Sequence, residues 1–240
     1  MRDRVIVSCS YSPHNHNFYA TYADRLERSL DEFGIEADRI IWRREWPTGA
    51  PPHQGNNYAF KYYAVKDAFD KGYRYVMWMD SGVQALAPIE GLWERTRTLG
   101  YALLRGGSPL WKWISDYALE KFGYTRDRVM EMTLFGGCMI GLDRENPVAM
   151  EFFRQWGEIV KDTRLMMGAH RIESNAAGVM RSIMLSDADL SQISTDERVE
   201  GHRSDEACFT LIADKMGLKP LTYTEWQEIA RTYNEPVPQG

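Results

Sequence analysis

The sequence predicts an α/β protein: a mixed, mostly parallel sheet flanked by helices. Three observations carry this reading. Short apolar runs of strand length alternate with longer amphipathic segments. Glycines follow several of the helix patterns, where a helix C-terminus favours them. The first 43 residues read strand–helix–strand, the opening of a parallel sheet.

Each element is justified in turn. Residues 4–11 form a short apolar run ending in small polar residues, a buried strand, and Pro13, Asn15 and Asn17 then mark a turn. Phe18, Tyr22, Leu26, Leu30 and Phe33 recur at helical steps and Gly34 closes them, while residues 39–43 read as a second strand. A loop rich in Pro, Gly, His and Asn covers residues 44–56. A helix follows over 57–71, with Tyr58, Tyr62, Val65 and Phe69 on one face. The apolar run 73–79 is a third strand and ends in Asp80-Ser81-Gly82. Residues 88–99 read as a helix with Pro88 in its first turn and Gly100 after its last, followed by a strand over 101–104. Residues 111–132 read as helical pieces rich in Trp and Tyr, and 134–142 as a strand interrupted by glycines. Asn146-Pro147 fits the N-cap and first position of a helix to about Lys161. Within 162–202 only a short helix near 175–185 is suggested. A helix over 204–216, a last strand over 219–223 and a loose tail from Glu235 complete the chain.

Composition bounds the function. The chain has 240 residues, 44% of them hydrophobic, enough for a core without disulfides or structural metal. No run approaches the roughly 18 apolar residues of a membrane span. The N-terminus enters a strand pattern at once, which leaves no room for a signal peptide. Cys9, Cys138 and Cys208 are odd in number and far apart, so buried thiols in a reducing, cytoplasmic setting are expected. The net charge of −5 weighs against general binding to a phosphate backbone.

Chemistry concentrates at three places. Asp80 follows the third strand, and open α/β sheets bind ligands at the carboxyl ends of their strands. A carboxylate there can hold a divalent cation that neutralises a diphosphate, although Asp-Ser-Gly is also ordinary turn chemistry. Lys61 lies near the start of the preceding helix and could neutralise a ligand phosphate, or be a solvated lysine. In Gly201-His202-Arg203-Ser204-Asp205-Glu206, His202 could ligate a metal. Asp205 and Glu206 could act as general base or electrostatic partner, or serve the helix dipole. His14 and His16 could bind zinc only with further ligands, and no second histidine or cysteine pair backs a metallohydrolase. Gly136-Gly137 could admit a substrate against the backbone or relieve crowding. Trp78, Trp111 and Trp113 could line a cleft for sugar C–H faces, or belong to the core.

The stretch from Lys61 to Gly82, ending Met-Trp-Met-Asp-Ser-Gly, resembles the nucleotide-sugar half of GT-A-type glycosyltransferases, whose strand ends in a D-x-D pattern. Phe135–Asp143 with Asn146-Pro147 and Phe152–Trp156 resembles their acceptor-side strand and helix, and Gly201–Leu218 a segment near the end of bacterial and viral members. The three matches keep family order and span residues 4–223. The resemblance implies a single Rossmann-like GT-A domain over 1–240: a nucleotide-sugar half (1–100), an acceptor-side half (101–223) and a tail (224–240). It implies a hexosyl- or pentosyltransferase using a nucleoside-diphosphate-sugar donor, usually with Mn2+ or Mg2+. Asp205 and Asp80 are the implied catalytic residues. Ser8, Ser10, Tyr11, Lys61, Asp80, Ser81 and Arg203 would meet the donor; Asp80 and His202 would hold the metal.

One departure matters: the second carboxylate of D-x-D is Gly82 here. Either His202 and the diphosphate complete the metal shell, or the metal is dispensable and Lys61, Arg105 or Arg203 carries the charge. The expected acceptor is a glycan. The alternatives are a hydroxylated base in DNA, and a non-catalytic module that binds a sugar or nucleotide-sugar. Nucleotidyl transfer would need a Gly-rich phosphate loop after the first strand, and Ser-Cys-Ser-Tyr-Ser-Pro does not provide one.

Overall fold

The computed structural model describes residues 2–11, 16–52, 56–166 and 193–232. Five strands form the main sheet: β1 (Arg2–Cys9), β2 (Asp38–Trp42), β3 (Tyr73–Met79), β5 (Tyr101–Pro109) and β6 (Thr133–Asp143). Their order is β2-β1-β3-β6-β5, with β2, β1 and β3 parallel and β6 antiparallel to both β3 and β5. The helices are α1 (His16–Glu32), α2 (Ala59–Asp70), α3 (Glu90–Leu99), α4 (Asp116–Phe122), α5 (Pro147–Lys161), α6 (Thr163–Met166), α7 (Ser204–Met216) and α8 (Tyr223–Ile229). Two short strands, β4 (Val83–Ala85) and β7 (Ala230–Thr232), pair antiparallel beside the sheet. The α/β class and the mixed sheet flanked by helices are as the sequence predicts.

Alternation along the strands builds one core on each face. Val5, Val7, Val76 and Trp78 pack with α2, α5 and α7, where Tyr62 stacks on Phe153 at 4.7 Å and Trp156 meets Phe209 edge-on at 5.0 Å. Ile6, Met77 and Met79 face the other way, against Leu26 and Leu30 of α1, Leu92 and Trp93 of α3, and Trp226 of α8. Most of the aromatic content therefore serves the cores. Cys9 and Cys208 are buried, Cys138 is half-buried, and all three thiols are free.

The segment 111–132 consists of helical pieces, as the sequence predicts: one short helix, α4, between two 3-10 turns. Elsewhere the structure departs from the sequence reading. No strand forms over 219–223; only Leu221 bridges to Leu104. The chain turns helical there because Thr222 and Glu225 form a capping box, each side chain bonding the other's backbone N–H. Helix α8 and strand β7 thus occupy the start of the C-terminal segment 224–240. The helix suggested near 175–185 and the tail from Glu235 lie outside the described residues.

The α3–β5 junction shows how a helix end is coupled to a helix start. Asn146 caps α5 by accepting from Val148 N at 2.9 Å and Ala149 N at 3.2 Å. Gly100 lies against it with φ 89°, and a Cβ on Gly100 would fall 2.1 Å from Asn146 Cγ. Asn146→Ala should cost about 1 kcal/mol in urea unfolding. Gly100→Ala should cost about 2 kcal/mol or more, since it adds left-handed strain to loss of the cap. A Gly100→Ala cost no larger than that of Asn146→Ala would contradict this coupling.

Candidate active site

The site is built where β3 ends. Asp80 N donates to Cys138 O at 2.9 Å, and Asp80 O accepts from Val83 N at 2.9 Å, so ladder and turn fix its backbone. Its Oδ1 accepts from Trp78 Nε1 at 2.8 Å. Trp78 is fully buried and does not line a cleft; it holds the carboxylate instead. Trp111 and Trp113 are half-buried near the 3-10 turn after β5.

Lys61, in the first turn of α2, is 3% exposed. An ammonium has three N–H donors. Here Nζ donates to Gly137 O at 3.0 Å and pairs with Asp205 Oδ2 at 3.1 Å and Asp80 Oδ1 at 3.4 Å. All three partners lie inside the protein, so in this structure Lys61 faces inward rather than toward solvent. Burial alone would lower its pKa, but Asp205, Asp80 and Glu206 outweigh burial and raise it. The lysine is a fixed internal cation.

Asp205 comes from the start of α7 and is also buried. Its Oδ1 accepts from Glu206 N at 3.0 Å. Its Oδ2 is ion-paired to Lys61, yet no aligned hydrogen bond reaches that oxygen from any described residue. Glu206 completes the cluster: Oε1 accepts from Gly137 N at 3.2 Å and Oε2 pairs with Arg203 at 3.1 Å. Arg203 stacks over Trp113 at 5.0 Å. Burial raises the carboxyl pKa of Asp80, against Lys61 and Trp78, and raises that of Glu206, with Asp205 adding to it.

Gly137 explains one glycine of the pair in β6. A Cβ there would stand 3.0 Å from both Lys61 Nζ and Asp205 Oδ2. Its role is to let the ion pair meet the strand backbone, while a Cβ on Gly136 would crowd Leu104.

The remaining expected residues lie on the same sheet or beside it. Ser8 and Ser10, at the end of β1, are buried, and Ser8 Oγ has no hydrogen-bond partner among the described residues. Tyr11 packs edge-on against Trp46 at 5.0 Å, and Trp46 continues to Phe60 and then to Trp78. Ser81 is buried beside Asp80, and Arg105 is exposed on β5. His14 lies outside the described residues, and the side chain of His16 is not described.

The expected metal set does not fit. His202 is 1% exposed and uses both ring nitrogens on backbone: Nε2 donates to Leu165 O at 2.8 Å, and Nδ1 accepts from Ser115 N at 3.4 Å. Asp80 Oδ1 is shared between Trp78 and Lys61, and Gly82 O accepts from Arg25 at 3.3 Å. Among the described residues no three His, Cys, Asp or Glu side chains converge as metal donors. His202 is thus a structural link that joins α6, the segment before α4 and the start of α7.

Sequence reasoning misses Tyr58, which its apparent helical spacing hides, and leaves Glu206 undecided between a site role and its ordinary place in a first helical turn. Trp78 reads as a cleft residue until its indole N–H is located. The glycine pair inside a strand was the available signal for a close approach.

No protein-family model matches the chain, and no curated protein is detectably similar in sequence. Several solved structures resemble it in fold. Mouse xyloside xylosyltransferase 1, in its apo form, is 12% identical with a TM-score of 0.48, over 91% of this chain and 85% of that one. A glycosyltransferase involved in glycosylating the major capsid of PBCV-1 is 13% identical with a TM-score of 0.38, over 64% of this chain. The match spans 65% of that enzyme, just under two thirds of its length. The galactosyltransferase LgtC, in complex with donor and acceptor sugar analogs, is 13% identical with a TM-score of 0.37, over 67% and 66% of the two chains. The likeness is one of fold.

Burial pushes the His202 pKa from 6.5 down to about 4. Its folded value therefore lies below its unfolded value, and between the two the unfolded chain binds the extra proton. The stabilising contribution is fully present above about pH 6.5 and is lost as pH falls toward 4. Relative to His202→Gln, which keeps a donor for Leu165 but does not titrate, the wild type should lose on the order of 3 kcal/mol between pH 7 and pH 4. Urea unfolding of both proteins at the two pH values measures this; a pH-independent difference contradicts a buried neutral histidine.

Proposed function

We propose that this chain is a glycosyltransferase that moves a sugar from a nucleoside-diphosphate-sugar donor to an acceptor hydroxyl. The supporting observation is the Asp80–Lys61–Asp205 cluster, assembled at the carboxyl edge of β3 beside the end of β1. In the reaction the anomeric carbon leaves the diphosphate oxygen and bonds the acceptor oxygen, passing through an oxocarbenium-like transition state.

Charge assigns the roles. Asp80, Asp205 and Glu206 are offset by Lys61 and Arg203, so one negative charge is in excess. That excess favours positive charge developing on the sugar. It opposes the diphosphate, so the leaving group is assigned no partner within the cluster. Asp205 Oδ2, buried against Lys61 and without an aligned hydrogen-bond donor, is the oxygen this reading assigns to the reacting centre. In an inverting reaction it takes the acceptor proton. In a retaining one it faces the oxocarbenium-like carbon. No step is assigned to a divalent cation, because the donor set does not fit one.

A glycan acceptor is favoured over DNA by the charge around Trp111 and Trp113. Lys112 pairs with Glu200, Arg126 with Asp116, Arg198 with Asp196 and Arg203 with Glu206. Among the described residues these pairs leave little net positive charge there to attract a phosphate backbone, whereas a sugar face packs on neutral aromatic surface.

A thermal-shift screen of UDP-, GDP-, ADP- and CMP-linked sugars tests the proposal. One donor should raise the melting temperature, equivalent to about 2.7 kcal/mol at a hundredfold excess over Kd, with chelator present as well as absent. Asp80→Asn and Asp205→Asn should each cut transfer by roughly a hundredfold or more. Donor binding without sugar transfer or hydrolysis would favour the non-catalytic module. No binding to any donor would overturn the proposal.

A further inference from the structure

Among the described residues only two non-glycine positions adopt positive φ: Tyr58 at 60° and Ser204 at 31°. A bulky residue in the left-handed region is strained, and such strain clusters at functional sites. Both positions abut the cluster. Ser204 immediately precedes Asp205, and Tyr58 caps the N-terminus of α2, three residues before Lys61. The conformation at Tyr58 is held from both sides. Asn56 Nδ2 donates to Val160 O at 2.7 Å, Asn56 O accepts from Ala59 N at 3.3 Å, and Tyr58 O accepts from Lys61 N at 3.1 Å.

This backbone turns the Tyr58 ring over the site. Lys61 Nζ lies 4.7 Å from the ring centroid, and the Phe60 ring is 6.3 Å away. Unlike Lys61 and Asp205, Tyr58 is 39% exposed. A large aromatic is thus held in a strained conformation, anchored by the buried cation, with much of its surface left to solvent above the Asp80–Lys61–Asp205 cluster. A helix cap alone explains none of this, since Asn or Gly would fill the position without strain and Tyr58 makes no side-chain cap bond.

We propose that Tyr58 is a sugar-binding residue: the solvent-facing part of its side chain receives the apolar C–H face of the pyranose carried by the donor, beside the Asp80–Lys61–Asp205 cluster, and so sets which sugar is accepted. This rests on the glycosyltransferase reading and extends it to a residue outside every recognised motif of the chain. An aromatic ring there supplies apolar area with few torsions to freeze. It leaves the nucleotide to other groups.

The test compares Tyr58→Asn, which tolerates the left-handed backbone, with Tyr58→Phe, which keeps the ring. Affinities for the UDP-, GDP-, ADP- and CMP-linked sugars and for the matching free nucleotides are measured by calorimetry, with melting temperature as the check on folding. Tyr58→Gly serves if the Asn variant does not fold. Tyr58→Asn should weaken the bound sugar nucleotide about tenfold or more, leave the free nucleotide within about twofold, and keep kcat within about threefold at saturation. Tyr58→Phe should stay within about threefold of wild type throughout. Unchanged sugar-nucleotide affinity in Tyr58→Asn overturns the proposal. A loss equal for the free nucleotide, or confined to kcat, also overturns it, because Tyr58 would then act only through Lys61. If the wild type binds no donor at all, the glycosyltransferase reading itself falls, and this proposal with it, on a separate measurement.

Discussion

The site depends on burying one ammonium group. A charge taken out of water is destabilising by several kcal/mol unless it is paired and hydrogen-bonded. Lys61 meets that demand with two carboxylates and a carbonyl from three segments remote in sequence: Asp80 after β3, Gly137 in β6 and Asp205 in α7. Each of those segments is constrained in turn. Asp80 needs the Trp78 indole and the turn to Val83, β6 needs a glycine at the point of contact, and α7 needs His202 to hold its start. The local geometry around the cluster follows from satisfying a single buried cation.

The same constraint orders the chemistry. A buried lysine held between two carboxylates and a carbonyl aligns those carboxylates and partly neutralises them. The carboxylate of the Lys61 pairs that reaches solvent is Asp80, in a cluster that keeps a net negative charge. Such a cluster stabilises a developing cation more readily than a leaving anion. Under the proposed reading, the Tyr58 ring would meet the sugar of the donor, and the leaving diphosphate would lie away from this negative cluster.

Much of the fold was legible because periodicity is local. Residues 73–79 and 147–161 have the boundaries that their apolar runs, Gly72 and Asn146-Pro147 announce. Helix α8 was harder: Lys219–Tyr223 has strand composition, and the Thr222–Glu225 box that starts the helix is a two-residue signal. Strand β4 is three residues long and exists only through its pairing with β7. In the site, Asp80, Lys61 and Asp205 could be singled out individually. That they share one ion cluster depends on the crossover of β6 between β3 and β5, which no local pattern encodes. The partners of His202 are backbone atoms of Leu165 and Ser115, invisible to any reading of side-chain motifs. Its metal role was the natural inference and the wrong environment.

The most direct measurement is a double-mutant cycle on Lys61 and Asp205 in urea unfolding. Removing one partner from a buried pair leaves an uncompensated charge, so Lys61→Met and Asp205→Asn should each destabilise by about 3 kcal/mol or more. The double variant leaves neither charge of the pair buried, so it should be less destabilised than the two single costs combined, with a coupling of at least about 1–2 kcal/mol. Strictly additive costs would contradict the account, because Lys61 and Asp205 would then not be holding each other in place.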